Sequence, residues 1–223
     1  MAKVCIDPGH GGHDPGAVGT GGLQEKAVAL NVALTLGKKL QTAGLEVVYT
    51  RRTDDFVRLS GRAAIANRHA ADLLVSIHCN AFERVEAKGY EVWTTPGRTE
   101  ADRLATALFE SFQEEFPGRK GRVDTLDGDP DKEANFAVLR LTRCPAALFE
   151  LGFISNPDGE RWLADEMAQH GMAEALRNGV LRYLGIDRRD LPMAPKKPVR
   201  GERDLERTLR EIGEVLKRNG FGS

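Results

Sequence analysis

The chain has 223 residues, of which 41% are hydrophobic and 29% charged, and its formal net charge is -1. That length buries a full α/β core and leaves room for a short appendage, while the balanced charge gives no general reason to expect nucleic acid or an anionic membrane as partner. No stretch is apolar for long enough to span a bilayer, and the three cysteines (Cys5, Cys79 and Cys144) fit neither a disulfide framework nor a thiolate metal motif, so they read as small, mostly buried thiols.

The opening Met-Ala-Lys-Val-Cys-Ile-Asp has no basic stretch followed by an apolar run. The expectation is a protein made in the cytoplasm, unless a leader has been left out. Val4 to Ile6 reads as a short buried strand, followed by a Gly-rich loop from Pro8 to Gly22. Helical periodicity runs from about Leu23 to Ala43 through Val28, Val32, Leu36 and Leu40, and Gly44 stops it. Leu45 to Thr50 is the next strand, Leu59 to Ala71 a helix, and Leu73 to His78 another strand. Tyr90 to Trp93 alternates polar and apolar residues, which predicts a strand with one wetter face. Thr99 and Asp102 have the spacing of a capping box for a helix running to about Phe116.

Gly118 to Glu133 is polar and rich in Gly and Asp, and reads as a long surface loop. Ala146 to Glu150 is a buried strand, and Asn156-Pro157 starts helices that continue to about Leu184. The alternation predicts an α/β domain over residues 1–186: a mainly parallel twisted sheet with helices on both faces and ligands at the carboxyl ends of its strands. Residues 187–199 hold Pro192, Pro195 and Pro198 among basic residues and read as a stiff linker. In residues 200–223, Leu205, Leu209, Ile212 and Leu216 make one narrow apolar seam of a helix. Its closely mixed Glu and Arg favour packing on the domain or self-association; contact with wall or membrane is the alternative.

Four residues stand where the predicted sheet would place a ligand. His10 follows the first strand among glycines that let a backbone pack close to an ion. The same loop suits an anion, although it lacks the Gly-Lys-Ser/Thr ending of a phosphate loop. Glu25 opens the first long helix, where an acid is also favoured simply by the helix dipole. His78 and Glu150 each end an apolar strand, and a carboxylate in that setting costs free energy unless it is paired or metal-linked. Two His and one Glu would leave an open position on a tetrahedral zinc, the mark of a catalytic rather than a structural site. His13 reads as solvent-exposed, with substrate contact the alternative; His69 and His170 read as surface residues.

Several motifs occur in a specific order: Ile6-Asp7-Pro8-Gly9-His10-Gly11-Gly12, Gly16-Ala17-Val18-Gly19, Glu25-Lys26, Thr50-Arg51, Ala71 to Ala81 containing Ser76-Ile77-His78-Cys79-Asn80, and Phe149-Glu150-Leu151-Gly152-Phe153-Ile154-Ser155-Asn156. In this the chain, over about Lys3 to Leu184, resembles the zinc-dependent N-acetylmuramoyl-L-alanine amidases of the type-3 class. It departs at Ala27, where relatives often have Asp, and at Cys79, where Ala is usual. The resemblance implies one zinc ion per chain held by His10, Glu25 and His78, with Glu150 as the catalytic carboxylate. It implies peptidoglycan as substrate, cut between N-acetylmuramic acid and L-alanine of the stem peptide. Without a visible leader the chain looks like a phage endolysin or a mother-cell autolysin, acting on the wall after release. Asn80 and Arg62 are further candidates for substrate contact or for supporting the ligands. The alternatives are a wall-binding module without catalysis and another zinc hydrolase of wall fragments.

Overall fold

Six strands form a single sheet in a computed structural model that describes residues 1–124 and 128–187. They are β1 (Lys3–Pro8), β2 (Glu46–Tyr49), β3 (Leu73–Asn80), β4 (Glu91–Thr94), β5 (Lys132–Glu133) and β6 (Ala146–Phe153). Their order is β2-β1-β3-β6-β4-β5. The first four in that order run parallel, β4 runs antiparallel to β6, and β5 lies parallel to β4. The mainly parallel α/β architecture is therefore as expected, with a reversed pair at one edge.

The helices are α1 (Glu25–Thr42), α2 (Leu59–Arg68), α3 (Glu100–Glu115), α4 (Ala137–Arg140), α5 (Pro157–Ala164) and α6 (Glu166–Tyr183). Buried residues of α1, α3 and α6 pack with Ile6, Val75, Ile77, Val92 and Phe149 into the main core. On the other face, Ala66 of α2 and Val138 and Leu139 of α4 cover Cys5, Leu74, Ala146 and Leu148. That second layer is thin, so the sheet is open near β4 and β5. Val28, Val32, Leu36 and Leu40 recur every four residues on α1 and are all buried, the stripe that the periodicity predicts. Thr99 caps α3 through Ala101 N while Asp102 returns to Thr99 N, and Asn156 caps α5 through Gly159 N. Cys5 and Cys79 are buried free thiols.

The structure moves several expected boundaries. β3 and β6 do not stop at His78 and Glu150 but run on to Asn80 and Phe153. Leu151 and Phe153 stay buried, and burial keeps the strand paired beyond its carboxylate. Past the His78–Glu150 pair, β6 carries one extra residue, because Asn80 faces Phe153. Such a bulge bends the strand and re-aims side chains. α2 ends at Arg68, since Ala70 takes a left-handed backbone with φ 49. Glu91 does not lie on a wetter face: it is 2% exposed, because cations cover it. The short elements α4 and β5 have too few residues to show a period. Only Asp187 of the expected linker is described, and the helix expected over residues 200–223, with its self-association, lies outside the described residues.

Candidate metal centre

Asp7 organises the loop that carries His10. It is fully buried in β1 and accepts hydrogen bonds from Thr50 Oγ1 (2.6 Å), Ser76 Oγ (2.6 Å) and Arg62 Nη1 (2.9 Å). Burial alone would raise its pKa, but Arg62 first, then the two hydroxyls, hold it below the usual carboxylate value. Arg62 also donates to the carbonyls of Pro8 and His10 (2.6 Å each), and Arg51 to those of Pro8 (3.0 Å) and Gly9 (2.6 Å). These cations fix the chain on both sides of the turn. His10 itself sits at φ 57, a left-handed conformation that a non-glycine residue keeps only when its surroundings enforce it. Breaking a buried pair by removing one partner costs about 3–5 kcal/mol. Arg62→Met is therefore expected to lower the unfolding free energy by that much, read as a lower urea midpoint at unchanged slope; a wild-type midpoint would mean the pair does not hold the loop.

The loop, α1 and β3 bring His10, Glu25 and His78 together, with one donor atom from each lying within 4.8 Å of the others. Glu25 Oε1 lies 3.1 Å from His10 Nε2 and 2.8 Å from His78 Nδ1, and accepts the Cys79 amide at 3.0 Å. Its Oε2 accepts the Ala17 amide at 2.8 Å. Gly16, at φ 66, makes the approach possible: a Cβ there would stand 2.6 Å from both Glu25 Oε2 and His10 Cδ2.

The electrostatics fit a cation at this point. His10 Nδ1 is 2.9 Å from Asp14 Oδ2, which favours a proton on Nδ1 and leaves the Nε2 lone pair facing Glu25. Two acceptors then meet unless a proton or a metal ion lies between them. Burial opposes charge at each group, yet Glu25 and then Asp14 push the His10 pKa up, and the bonds from His10 and His78 push Glu25 down. Two imidazole nitrogens and a carboxylate oxygen are a donor set that suits a borderline divalent ion. Ligand bonds of about 2 Å close this spacing with small side-chain movement.

Glu150 stands beside this cluster. It pairs in register with His78 across β3 and β6 and with Glu91 across β6 and β4, so the three side chains form a row on one face of the sheet. Its Oε2 is sealed from solvent with no hydrogen-bond partner. Burial, then Glu25 and Glu91, push its pKa well above the carboxylate range. A carboxylate oxygen buried without a partner is costly, which makes Glu150 a candidate functional residue.

The other candidates divide. Asn80 donates to Glu91 Oε2 at 3.0 Å and lies at the edge of the row. Arg62 is 3% exposed and donates to carbonyls of the His10 turn, so it supports His10. His13 is exposed and lies against Phe56, with ring centroids 4.2 Å apart, outside the cluster. His69 and His170 are exposed, as expected. Sequence reasoning missed Asp14 and Glu91. Asp14 was signalled by its place four residues after His10 in a turn; Glu91 had only strand alternation to mark it.

The fold and site together define an α/β protein with a candidate His-Glu-His metal centre beside a buried carboxylate. The family model for N-acetylmuramoyl-L-alanine amidase matches residues 4–182. The chain belongs to that family. An amidase of Neisseria meningitidis named AmiC is 36% identical over 217 residues, covering 81% of this chain and 52% of the relative, so the chain spans about half of that protein. A sporulation-specific amidase of Bacillus subtilis is 35% identical over 182 residues, covering 81% of this chain and 67% of the relative. Among solved structures, the amidase AmiC2 of Nostoc punctiforme superposes with a TM-score of 0.76 at 36% identity, over 82% of this chain and 97% of that one.

Proposed function

We propose that the chain is a zinc-dependent peptidoglycan hydrolase that cuts the amide between the lactyl group of N-acetylmuramic acid and L-alanine of the stem peptide. The observation that carries this reading is the unpaired, buried Glu150 Oε2 in register beside His78. Family membership supports the bond and the substrate. The donor set supports zinc, one ion per chain, held by His10, Glu25 and His78.

When bound, zinc would supply Lewis acidity, lowering the pKa of water toward about 7 and polarising the amide carbonyl. Glu150 accepts the proton of the attacking water as its oxygen bonds to the amide carbon. Glu150 then returns that proton to the alanine nitrogen as the C–N bond breaks, leaving a lactyl carboxylate and a free amine. Asp14 holds the His10 ring so that Nε2 faces the centre, and the Cys79 and Ala17 amides hold the Glu25 carboxylate. The thin side of the sheet leaves room for a polymeric substrate.

The test is release of new L-alanine amino termini from purified sacculi, with a chelator and then with zinc added back. Release that chelation stops and zinc restores is the expected result. Release of acetate instead would make the chain a deacetylase, and binding to sacculi without any product would make it a wall-binding module.

A further inference from the structure

Beyond Glu150 the row continues into a groove of about 490 Å³, lined by Asn80, Phe82, Trp93, Arg122, Lys132 and Phe153 with Glu91 among them. Three cations face this groove, Arg84, Arg122 and Lys132, against two carboxylates, Glu86 and Glu91. Glu91 Oε1 takes both Arg122 Nε and Lys132 Nζ, the latter at 2.9 Å. One buried carboxylate thus anchors two cations, and one positive charge is left over. Nε is the one side-chain nitrogen of Arg122 with a hydrogen-bond partner among the described residues, so the two terminal nitrogens of its guanidinium remain for a ligand. Arg122 is the more open of the pair, with 38% of its side chain exposed against 20% for Lys132. Lys132 also lies 5.2 Å from the centre of the Trp93 ring, and the Arg122 guanidinium 5.3 Å from that of Phe153. Each cation has an aromatic face on one side, which favours its charged form there.

We propose that this groove is an anionic-peptide subsite in which Arg122, set by Glu91 and assisted by Lys132, reads a free carboxylate on the leaving peptide. The identity of that peptide rests on the amidase reading above. The glycan of peptidoglycan is built of uncharged N-acetyl sugars apart from the lactyl group that the scissile amide caps, so excess positive charge has no use for it. The stem peptide does carry charge: its second residue, a D-glutamate joined onward through its side chain, keeps its α-carboxylate. That carboxylate lies within about 7 Å of the scissile nitrogen, two residues of extended chain. The groove matches that reach, since Glu91 faces Glu150 directly on the neighbouring strand, about 5 Å away, and the cations lie one contact further out. A guanidinium fork with its terminal nitrogens unengaged is the donor that suits a planar carboxylate.

The test uses the wild-type full chain and two C-terminally amidated product peptides, L-Ala-γ-D-Glu-L-Lys and its D-isoglutamine counterpart, which differ only in one carboxylate against carboxamide. Calorimetry is expected to show the acid bound at least about tenfold more tightly, as a charge-assisted bond implies, with the preference shrinking as salt is added. Arg122→Gln should bring the acid down to the level of the amide and leave the amide unchanged; its Glu91 keeps Lys132 and Asn80 as partners. Equal affinity for the two peptides in the wild type would overturn the subsite. So would an Arg122→Gln variant that weakens both peptides alike, because that is the signature of a structural role. The two readings fail separately: a preference for the acid without release of L-alanine termini from sacculi keeps the subsite and removes the amidase, and the reverse pattern does the opposite.

Discussion

Glu150→Gln is expected to cut turnover by about 10³-fold, the range of general acid–base catalysis, while the variant keeps its metal and its metal-free form becomes more stable. The three effects share one cause. Gln fills the same volume in β6 and leaves His10, Glu25 and His78 untouched, so bound metal should match wild type by elemental analysis. It carries no ionisable group to accept and return a proton, so the chemistry stops. Its stability effect follows from proton linkage. Burial, then Glu25 and Glu91, raise the folded pKa of Glu150 above its unfolded value. The folded state therefore holds a proton that the unfolded state has lost, and stability falls as pH rises from the ordinary carboxylate value toward the folded one. Gln removes that decline, so the variant's advantage over wild type grows as pH rises above the ordinary carboxylate value. Stability gained as activity is lost is the usual trade at a strained site. Turnover within a few fold of wild type would end the assignment of Glu150, and a variant that lost its metal would make Glu150 a ligand instead.

The strands and the long helices were legible because their signals are local. The Val28–Leu40 stripe, the Thr99–Asp102 box and the Asn156-Pro157 start are each set by neighbours in sequence. His10, Glu25 and His78 were legible as candidates because they stand at strand and helix ends, where an α/β sheet collects ligands. The residues that hold them were harder to read. Arg62 could be read as a substrate contact or as a support for the ligands, and its choice of Asp7 and the carbonyls of the His10 turn involves partners 52 to 55 residues away in sequence. Glu91 looked like an exposed strand position and proved buried, because Arg122 and Lys132 come to it from 31 and 41 residues away. Such pairings leave no period in the chain. The extent of β6 was misread for a related reason: a carboxylate within an apolar run resembles a strand end, until Leu151 and Phe153 are seen to be buried.

Metal-free and metal-loaded protein should respond to pH in opposite directions. Without metal, Glu25 has a folded pKa below its ordinary value of 4.5, so its contribution is present above that value and is lost as pH falls toward the folded one. His10 has a folded pKa above its ordinary 6.5, so its contribution is full below 6.5 and is lost as pH rises through the folded value. The proton shared between Glu25 and His10 therefore holds the centre best between about pH 4.5 and 6.5, and stability declines on the alkaline side. Glu150 adds to that decline, and in the Glu150→Gln chain only the part due to His10 should remain. Added Zn²⁺ reverses the slope, because its ligands must first give up their protons and affinity climbs as they do. At a free concentration a thousand times the dissociation constant the ion should add about 4 kcal/mol. Melting curves from pH 5 to 8, with chelator and with Zn²⁺, would read both slopes without any assay of activity. His10→Ala and His78→Ala should each remove most of the zinc-dependent rise. Parallel curves, or a rise that survives both substitutions, would show that the cluster holds no metal ion and that a proton alone bridges Glu25 and His10.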